Sequence, residues 1–340
     1  MKIKRYALLT FLFNISLMTT IYYTIENPEC PTIHMENYKR VKVPSEVLAQ
    51  KYPLISSNDC NVTAKELNDF LESVYSPDYI TFLLTYKPPE TLCDTCKSET
   101  DTKLNKCIYC KTPLNKLMLK NYMPDDSDTL FTSHTPEEIL NVCKILLEII
   151  KKQDKYVYAL IRPPGHHSSF DHHSGFCFVN NAYLLAKNLP GNTLIFDWDL
   201  HHGDGTENLL LKNKDENIYY VSMHGYGNGF YPGTGTIRTN NILNIPLRKG
   251  TGDREYIYFF DSIFVPYYNN ITVDTIIISN GLDGHQDDQM DFLNLSDKAY
   301  LHITEFFKKT NKRLIFLLEG GYNVDVITNV SLKIVDLLNE

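Results

Sequence analysis

Five apolar runs of strand length lie between residues 156 and 318, and helix-like segments separate several of them. The runs are Tyr156–Ile161, Thr193–Phe196, Ile218–Val221, Thr275–Ser279 and Arg313–Leu318. Continuously apolar strands that alternate with helices are typical of a mainly parallel sheet with helices on both faces. The sequence therefore predicts a single α/β domain, in which a ligand would bind outside the carboxyl ends of the strands.

Blocks of chemically reactive residues begin where four of these five runs end. The blocks are Arg162–His167 (Arg-Pro-Pro-Gly-His-His), Asp197–Gly205 (Asp-Trp-Asp-Leu-His-His-Gly-Asp-Gly), Asn280–Asp283 (Asn-Gly-Leu-Asp) and Glu319–Tyr322 (Glu-Gly-Gly-Tyr). In an extended segment alternate side chains share one face, so Asp197, Asp199 and His201 should converge. Two carboxylates and an imidazole on one face make a poor core and a good site for a divalent metal.

Asp199, His201 and Asp283 are the predicted ligands of this metal. A set of three protein ligands leaves one coordination position open for water or substrate, as a catalytic zinc site requires. A metal there would lower the pKa of its water towards neutrality and would polarise a carbonyl oxygen. Alone, Asp283 would be a simple cap of a helix or turn, so the prediction depends on the three residues together.

The same blocks contain side chains suited to proton transfer. His166 and His167 form an acid/base pair, and Asp197 and Asp204 are candidates to hydrogen-bond these imidazoles and to set their basicity. Tyr322 can donate its hydroxyl group to a developing oxyanion. Together with the metal, these residues predict an enzyme that hydrolyses a carboxamide through a metal-bound water.

The blocks and their order resemble the zinc-dependent histone deacetylase family, including its acetylpolyamine-cleaving relatives, from Asn27 to Glu340. Further matching segments are Gly175–Asn181, Gly229–Gly235 and Asn27–Cys30, the last of which is similar to the start of class II members. The resemblance implies an arginase/deacetylase fold with one catalytic zinc ion. It also implies that His167 is the general acid/base and that His166 is its electrostatic partner.

The resemblance further implies what the site binds. The substrate would be an N-acetyl-lysine side chain of a protein, such as a histone tail, held in a narrow tube. The residues that would line this tube are Phe176, Tyr231, Gly175 and Gly321. A structural potassium ion would lie behind the zinc site, near Asp197–His201 and the backbone of Ser222 and Met223.

The rim of the tube bears on the substrate class. In the related family, the position seven residues after the last zinc ligand carries an acidic group in polyamine-cleaving members, and here it is Met290. A neutral residue suits a peptide that lies across the rim, and Asp128 is a candidate to hydrogen-bond its backbone. Asp287 and Asp288 leave an acetylpolyamine or another small amide open as the substrate. A non-catalytic scaffold is disfavoured, because no predicted catalytic residue is missing.

Residues 87–125 interrupt the domain with a polar insertion. It contains two Cys-x2-Cys pairs that ten residues separate, namely Cys93, Cys96, Cys107 and Cys110. This spacing can place four thiolates tetrahedrally around a second, structural zinc ion; free thiols and two disulfides are the alternatives. Metal binding would stabilise so short a segment, and the folded insertion would be a candidate docking site for a partner.

Residues 1–26 allow two interpretations. Basic residues followed by the largely apolar stretch Tyr6–Tyr23 resemble a signal peptide or a membrane anchor, whereas the β-rich end of that stretch favours a buried first strand. The deacetylase-like domain would then span residues 27–340. The cysteine pattern favours a reducing, intracellular compartment, and the net charge of −8 argues against a broad basic surface for nucleic acid.

Overall fold

The computed structural model describes residues 18–25, 34–86, 129, 131–132, 134–227 and 229–340. These residues form one 8-stranded sheet in the order β2-β1-β3-β8-β7-β4-β5-β6, in which all neighbouring strands are parallel. The strands are β1 (Thr20–Tyr23), β2 (Leu54–Ser56), β3 (Tyr156–Leu160), β4 (Thr193–Asp197), β5 (Ile218–Gly225), β6 (Ile242–Leu247), β7 (Thr275–Asn280) and β8 (Arg313–Leu318). The predicted α/β fold with a mainly parallel sheet is confirmed.

All five predicted runs are strands, and the structure adds β1, β2 and β6. Strand β1 fits the buried-strand interpretation of the N-terminal stretch, because Ile21 and Tyr22 are buried and β1 pairs with both β2 and β3. Residues 1–17, on which the signal or anchor interpretation depends, lie outside the described residues. Among the helices that are described, none has the length and apolar character needed to cross a membrane.

Helices lie on both faces of the sheet and connect the strands. They are α1 (Lys39–Leu48), α2 (Ala64–Glu72), α3 (Pro77–Thr85), α4 (Thr135–Lys152), α5 (Asn181–Asn188), α6 (Asp204–Asn213), α7 (Asp253–Phe259), α8 (Val265–Tyr268), α9 (Asp297–Lys309) and α10 (Val324–Asn339), with a 3-10 turn at Ser57–Asp59 and a π-helical turn at Phe260–Phe264. This alternation of strands and helices is the one that the apolar runs predict.

Local sequence signals account for the start of two helices. The Thr63 hydroxyl accepts a hydrogen bond from the Glu66 amide (3.2 Å), and the Glu66 carboxylate accepts one from the Thr63 amide (2.7 Å), so a capping box opens α2. Thr135 is the first residue of α4, and its hydroxyl accepts from the Thr132 amide (2.8 Å). Pro136 lies in the first turn of α4, where the fixed backbone of proline suits a helix start.

Alternate residues of each central strand enter one of two hydrophobic cores, one on either face of the sheet. In β3, Val157 and Ala159 pack in the core that contains α4, whereas Tyr158 and Leu160 pack in the core that contains α10. Burying one aliphatic side chain of this kind contributes roughly 1.5–3 kcal/mol. Three of the described cysteines are free and buried and act as small apolar side chains, namely Cys60, Cys143 and Cys177.

The four strands that end in reactive blocks are consecutive neighbours in the sheet, in the order β3-β8-β7-β4. Because they are parallel, their carboxyl ends lie along one edge. The registers agree: Ala159 of β3 lies opposite Leu317 of β8, and Asp197 of β4 lies opposite Ser279 of β7. The four blocks therefore meet at one place on the molecule.

Candidate metal centre and substrate cleft

The three predicted metal ligands lie together at this edge. One ligand atom each from Asp199, His201 and Asp283 lies within 4.8 Å of the others, and all three residues are buried. Oδ2 of Asp283 is 2.9 Å from Nδ1 of His201 but lies outside hydrogen-bonding geometry, and within the described part of the chain no other group donates to this buried oxygen. Two carboxylates and one imidazole are a donor set that suits zinc, and the residues present fit the implied ion.

Backbone amides hold the two carboxylates in place. Asp199 accepts hydrogen bonds from the amides of His201 (2.8 Å) and Gly320 (2.7 Å), and Asp283 accepts one from the Leu200 amide (2.9 Å). A Cβ atom at Gly281 would lie 2.0 Å from Oδ2 of Asp199. A glycine is therefore required there, because the loop after β7 passes directly against the ligand from the loop after β4.

The site concentrates negative charge. Burial alone would lower the pKa of His201, but the carboxylates of Asp199 and Asp283 raise it to about 9. Burial, together with the charge of Asp199, raises the pKa of Asp283 to about 6. The two buried carboxylates repel each other, and together they attract a proton to the imidazole between them. The same negative charge would also favour a divalent cation.

Each of the two neighbouring histidines pairs with a carboxylate. Nδ1 of His166 lies 3.1 Å from Asp197, and Nδ1 of His167 lies 2.6 Å from Asp204. Burial alone would lower the pKa of His166, but the charges of Asp199 and Asp197 raise it well above its usual value. Burial and the neighbouring His166 lower the pKa of His167 to about 4, against the effect of Asp204. At neutral pH His167 is therefore a neutral base.

A cleft of about 270 Å³ leads to these residues. Its lining consists of Met35, His167, Gly175, Phe176, His201, Tyr231, Met290 and Tyr322. The Phe176 ring lies edge-on to Tyr322 at 6.0 Å, and the Tyr231 ring lies 5.0 Å from His167. Tyr231 is 42% exposed and so lies at the mouth. The cleft is apolar along its walls and polar at its base.

The cleft contains most of the predicted substrate residues, with two differences. Gly321 is not among the residues that line it, and its carbonyl accepts a hydrogen bond from Nε of Arg40 (2.6 Å). Met35 lines the cleft and had no sequence signal. Other predicted residues lie outside the described part of the chain, namely Asp128, Cys93, Cys96, Cys107 and Cys110. The rim carboxylate and the structural zinc site therefore stay predictions.

A buried arginine supports the loop that carries Tyr322. Besides its bond to Gly321, Arg40 donates to the carbonyl of Glu319 and to the carboxylate of Glu36 (2.8 Å). Burial would raise the pKa of Glu36, but Arg162 and Arg40 lower it. Sequence reasoning missed Arg40 because it lies on α1, far along the chain from the loop it holds. Its position inside an otherwise unremarkable helix offers no local signal.

Comparisons with known proteins agree with this geometry. Residues 34–338 match the histone deacetylase domain family. Histone deacetylase clr3 of Schizosaccharomyces pombe is 35% identical over 209 residues, which are 56% of this chain and 30% of that protein. Histone deacetylase 15 of Arabidopsis thaliana is 33% identical over 205 residues, which are 56% of this chain and 37% of that protein. The chain thus covers about a third of the length of these relatives.

A solved structure has the same fold. The crystal structure of the HDA15 HD domain aligns with a TM-score of 0.73 and 24% identity, and the alignment covers 95% of this chain and 91% of that one. The family match extends over most of the chain and includes all four reactive blocks. This chain therefore belongs to the histone deacetylase family.

Proposed function

We propose that this protein is a zinc-dependent deacetylase that hydrolyses N-acetyl-lysine side chains of proteins, with histone tails as the substrate class to test first. The observation that carries the proposal is the cleft itself. Its apolar walls lead to a base where Asp199, His201 and Asp283 face a neutral His167 and the side chain of Tyr322. A zinc ion held by the three ligands would activate water and polarise the amide carbonyl.

The protein residues around that position divide the remaining work. His167, neutral and held by Asp204, accepts a proton from the attacking water and returns it to the leaving lysine amine. His166, whose pKa is raised, places positive charge beside it. Tyr322 donates its hydroxyl to the carbonyl oxygen as negative charge develops there. This assignment gives each polar group at the base of the cleft one role.

The rim favours a peptide over a polyamine. Met290 brings no charge to the cleft, and the nearby Asp288 is buried, with its carboxylate occupied by backbone amides. Two exposed carboxylates flank Met290, and each lies near a basic side chain: Asp287 near His285 (3.7 Å) and Asp291 near Lys249 (3.2 Å). A cationic polyamine therefore has little to attract it, whereas an uncharged lysine stem would contact Phe176 and Tyr231 along its length.

Two further ions belong to the proposal. A structural zinc ion at the four insertion cysteines would fold a docking module, and a potassium ion would lie behind the catalytic zinc. The support for the potassium ion is the neighbourhood of Asp197 and Ser222, which are buried and face each other in the register of β4 and β5. Hard oxygen ligands of this kind suit a monovalent cation.

A side-by-side assay tests the substrate class. We expect acetyl-lysine peptides to exceed N-acetylputrescine in kcat/KM by at least about tenfold, roughly 1.4 kcal/mol of discrimination. Met290→Glu should reduce the ratio about fivefold by adding a charge near the mouth, and Met290→Gln, of similar size but neutral, is the matched control. A preference of the unmodified enzyme for N-acetylputrescine would reverse the assignment.

A further inference from the structure

The buried carboxylate of Asp288 accepts hydrogen bonds from three backbone amides. Its Oδ2 accepts from Tyr322 (2.7 Å) and Asn323 (2.8 Å), and its Oδ1 accepts from Met290 (3.2 Å). The residue is 5% exposed. Among the described residues it has no ion pair with a basic side chain, so these amides are its principal partners.

These three amides belong to two different loops of the cleft. Met290 lies in the loop after β7, which also supplies the ligand Asp283, whereas Tyr322 and Asn323 lie in the loop after β8. A second contact joins the same loops, because the Asn323 side chain donates to the carbonyl of Asp287 (2.7 Å). Asp288 therefore connects the residue at the rim of the cleft with the tyrosine at its base.

The location also favours a negative charge. Asn323 is the N-cap of α10, and its side chain accepts hydrogen bonds from the amides of Asp325 and Val326. Two of the amides that Asp288 binds, those of Tyr322 and Asn323, immediately precede this helix, where the helix dipole stabilises an anion. A carboxylate can thus be buried here without a cationic partner.

The Tyr322 side chain depends on this backbone for its place. Its ring lies between the Arg40 guanidinium, 5.2 Å from the ring centroid, and the Phe176 ring, at 6.0 Å. Arg40 and Asp288 bind the carbonyl and the N–H of the same peptide group, between Gly321 and Tyr322, and Asp288 also accepts from the amide of Asn323 in the next peptide. Charged side chains therefore hold both peptides that flank the Tyr322 Cα atom.

We propose that Asp288 is a positioning residue that sets the Tyr322 hydroxyl against the substrate carbonyl. This inference rests on the proposed deacetylase function of the cleft. Asp288 does not touch the reacting atoms, and its effect passes through the backbone amides of Tyr322 and Asn323. A purely structural cap would change stability alone, whereas a positioning residue changes turnover through Tyr322.

Asp288→Asn tests this, because it keeps the shape of the side chain. An amide group has only one acceptor oxygen, so its NH2 group must face a backbone N–H on one of the two loops. We expect kcat to fall roughly 10- to 100-fold, as for a misplaced catalytic group, with KM changed far less. Asp291→Asn removes the same charge from an exposed residue that contacts Lys249, and is the matched control.

The double variant Tyr322→Phe/Asp288→Asn provides the decisive readout. If Asp288 acts through Tyr322, the double variant should have the kcat of Tyr322→Phe alone, whereas multiplied losses would overturn the inference. A normal kcat for Asp288→Asn, counted per zinc-containing protein, would overturn it as well.

A second measurement separates this inference from the proposed function. Amide hydrogen exchange should speed up at residues 321–324 in Asp288→Asn while β8 stays protected. If the unmodified protein releases no acetate, the proposed function is wrong. If amide exchange at residues 321–324 is unchanged in Asp288→Asn, Asp288 does not position Tyr322, whether or not the protein is active. Normal acetate release by the unmodified protein with unchanged exchange in the variant would overturn this inference alone.

Discussion

His166 and His167 are adjacent in sequence and in contact, yet the structure shifts their pKa values in opposite directions. Their ring centroids lie 4.0 Å apart, and Nδ1 of each faces an aspartate. The pKa of His166 is nevertheless raised well above its usual value, despite burial, by Asp199 and Asp197. Burial and the neighbouring His166 lower the pKa of His167 to about 4.

The difference shows that a histidine–aspartate pair does not by itself decide protonation. His166 lies among several buried carboxylates, whereas His167 has Asp204 alone, whose side chain is 22% exposed and so partly screened by water. A positive His166 then keeps its neighbour neutral. In the proposed mechanism one imidazole would provide fixed charge and the other a base, from the same residue type in consecutive positions.

Removing Asp199 should have the largest effect on this comparison. Asp199→Ala removes a proposed metal ligand and also a carboxylate whose charge raises the pKa of His166. We expect turnover to fall to background and the bound zinc to fall by one ion per chain, with the circular dichroism spectrum kept. Asp283→Ala should lose the same zinc ion, and substantial turnover in either variant would show that the ligands are assigned wrongly.

Replacing each histidine separately compares the two roles directly. His167→Ala should lower kcat by roughly 10²–10⁴, the usual contribution of a general acid/base. His166→Ala should cost less, because it removes charge and not the proton acceptor. The measurement is kcat at saturating zinc and substrate, and a larger loss for His166→Ala would exchange the two assignments.

The pH dependence of kcat/KM should show a smaller effect, and its direction can be predicted. His167 accepts a proton only when neutral, so kcat/KM should decline on the acid side at a pH below the ordinary histidine pKa of 6.5. The Asp204 carboxylate raises the pKa of His167, so Asp204→Asn should shift this decline to lower pH while also lowering the plateau. Profiles recorded with zinc in excess would check this, and a shift to higher pH would contradict the pairing.

Of the changes considered, replacing cysteines of the insertion should affect catalysis least. Cys93→Ser/Cys96→Ser is expected to remove one zinc ion per chain and to change turnover much less than Asp199→Ala does, because none of the proposed ligands of the catalytic zinc belongs to the insertion. Metal analysis and the peptide assay measure both quantities. A Cys–Cys disulfide in freshly purified protein would contradict the zinc site.

The sequence located the candidate site wherever a block of reactive residues directly follows a buried strand. The ends of β3, β4, β7 and β8 could be located from apolar runs, and the parallel sheet then placed their blocks together. The edge strands were harder. Strand β6 contains the buried Asn244 and the exposed Pro246, which interrupt its apolar pattern, and an edge strand tolerates such a proline. Strand β2 has three residues, too few for a pattern.

Residues that act through the backbone were not predictable in this way. Arg40 and Asp288 bind carbonyl and amide groups of the loop after β8, and all residue types have these groups except proline, which lacks the N–H. Their role depends on how distant segments pack and on no local spacing. The charge difference between His166 and His167 has the same origin, since it follows from carboxylates that only the fold brings together.

Zinc titration of the metal-free protein, with acetate release from an acetyl-lysine peptide followed at each step, tests the proposed function most directly. The amount of zinc that Asp283→Ala still binds measures binding outside the cleft. In the unmodified protein, activity should rise in proportion to the zinc bound beyond that amount and should level off at one such ion per chain. Protons should be released at neutral pH, because His201, with a pKa of about 9, must lose its proton to bind metal. Zinc binding without acetate release, or full activity in metal-free protein, would contradict the proposal.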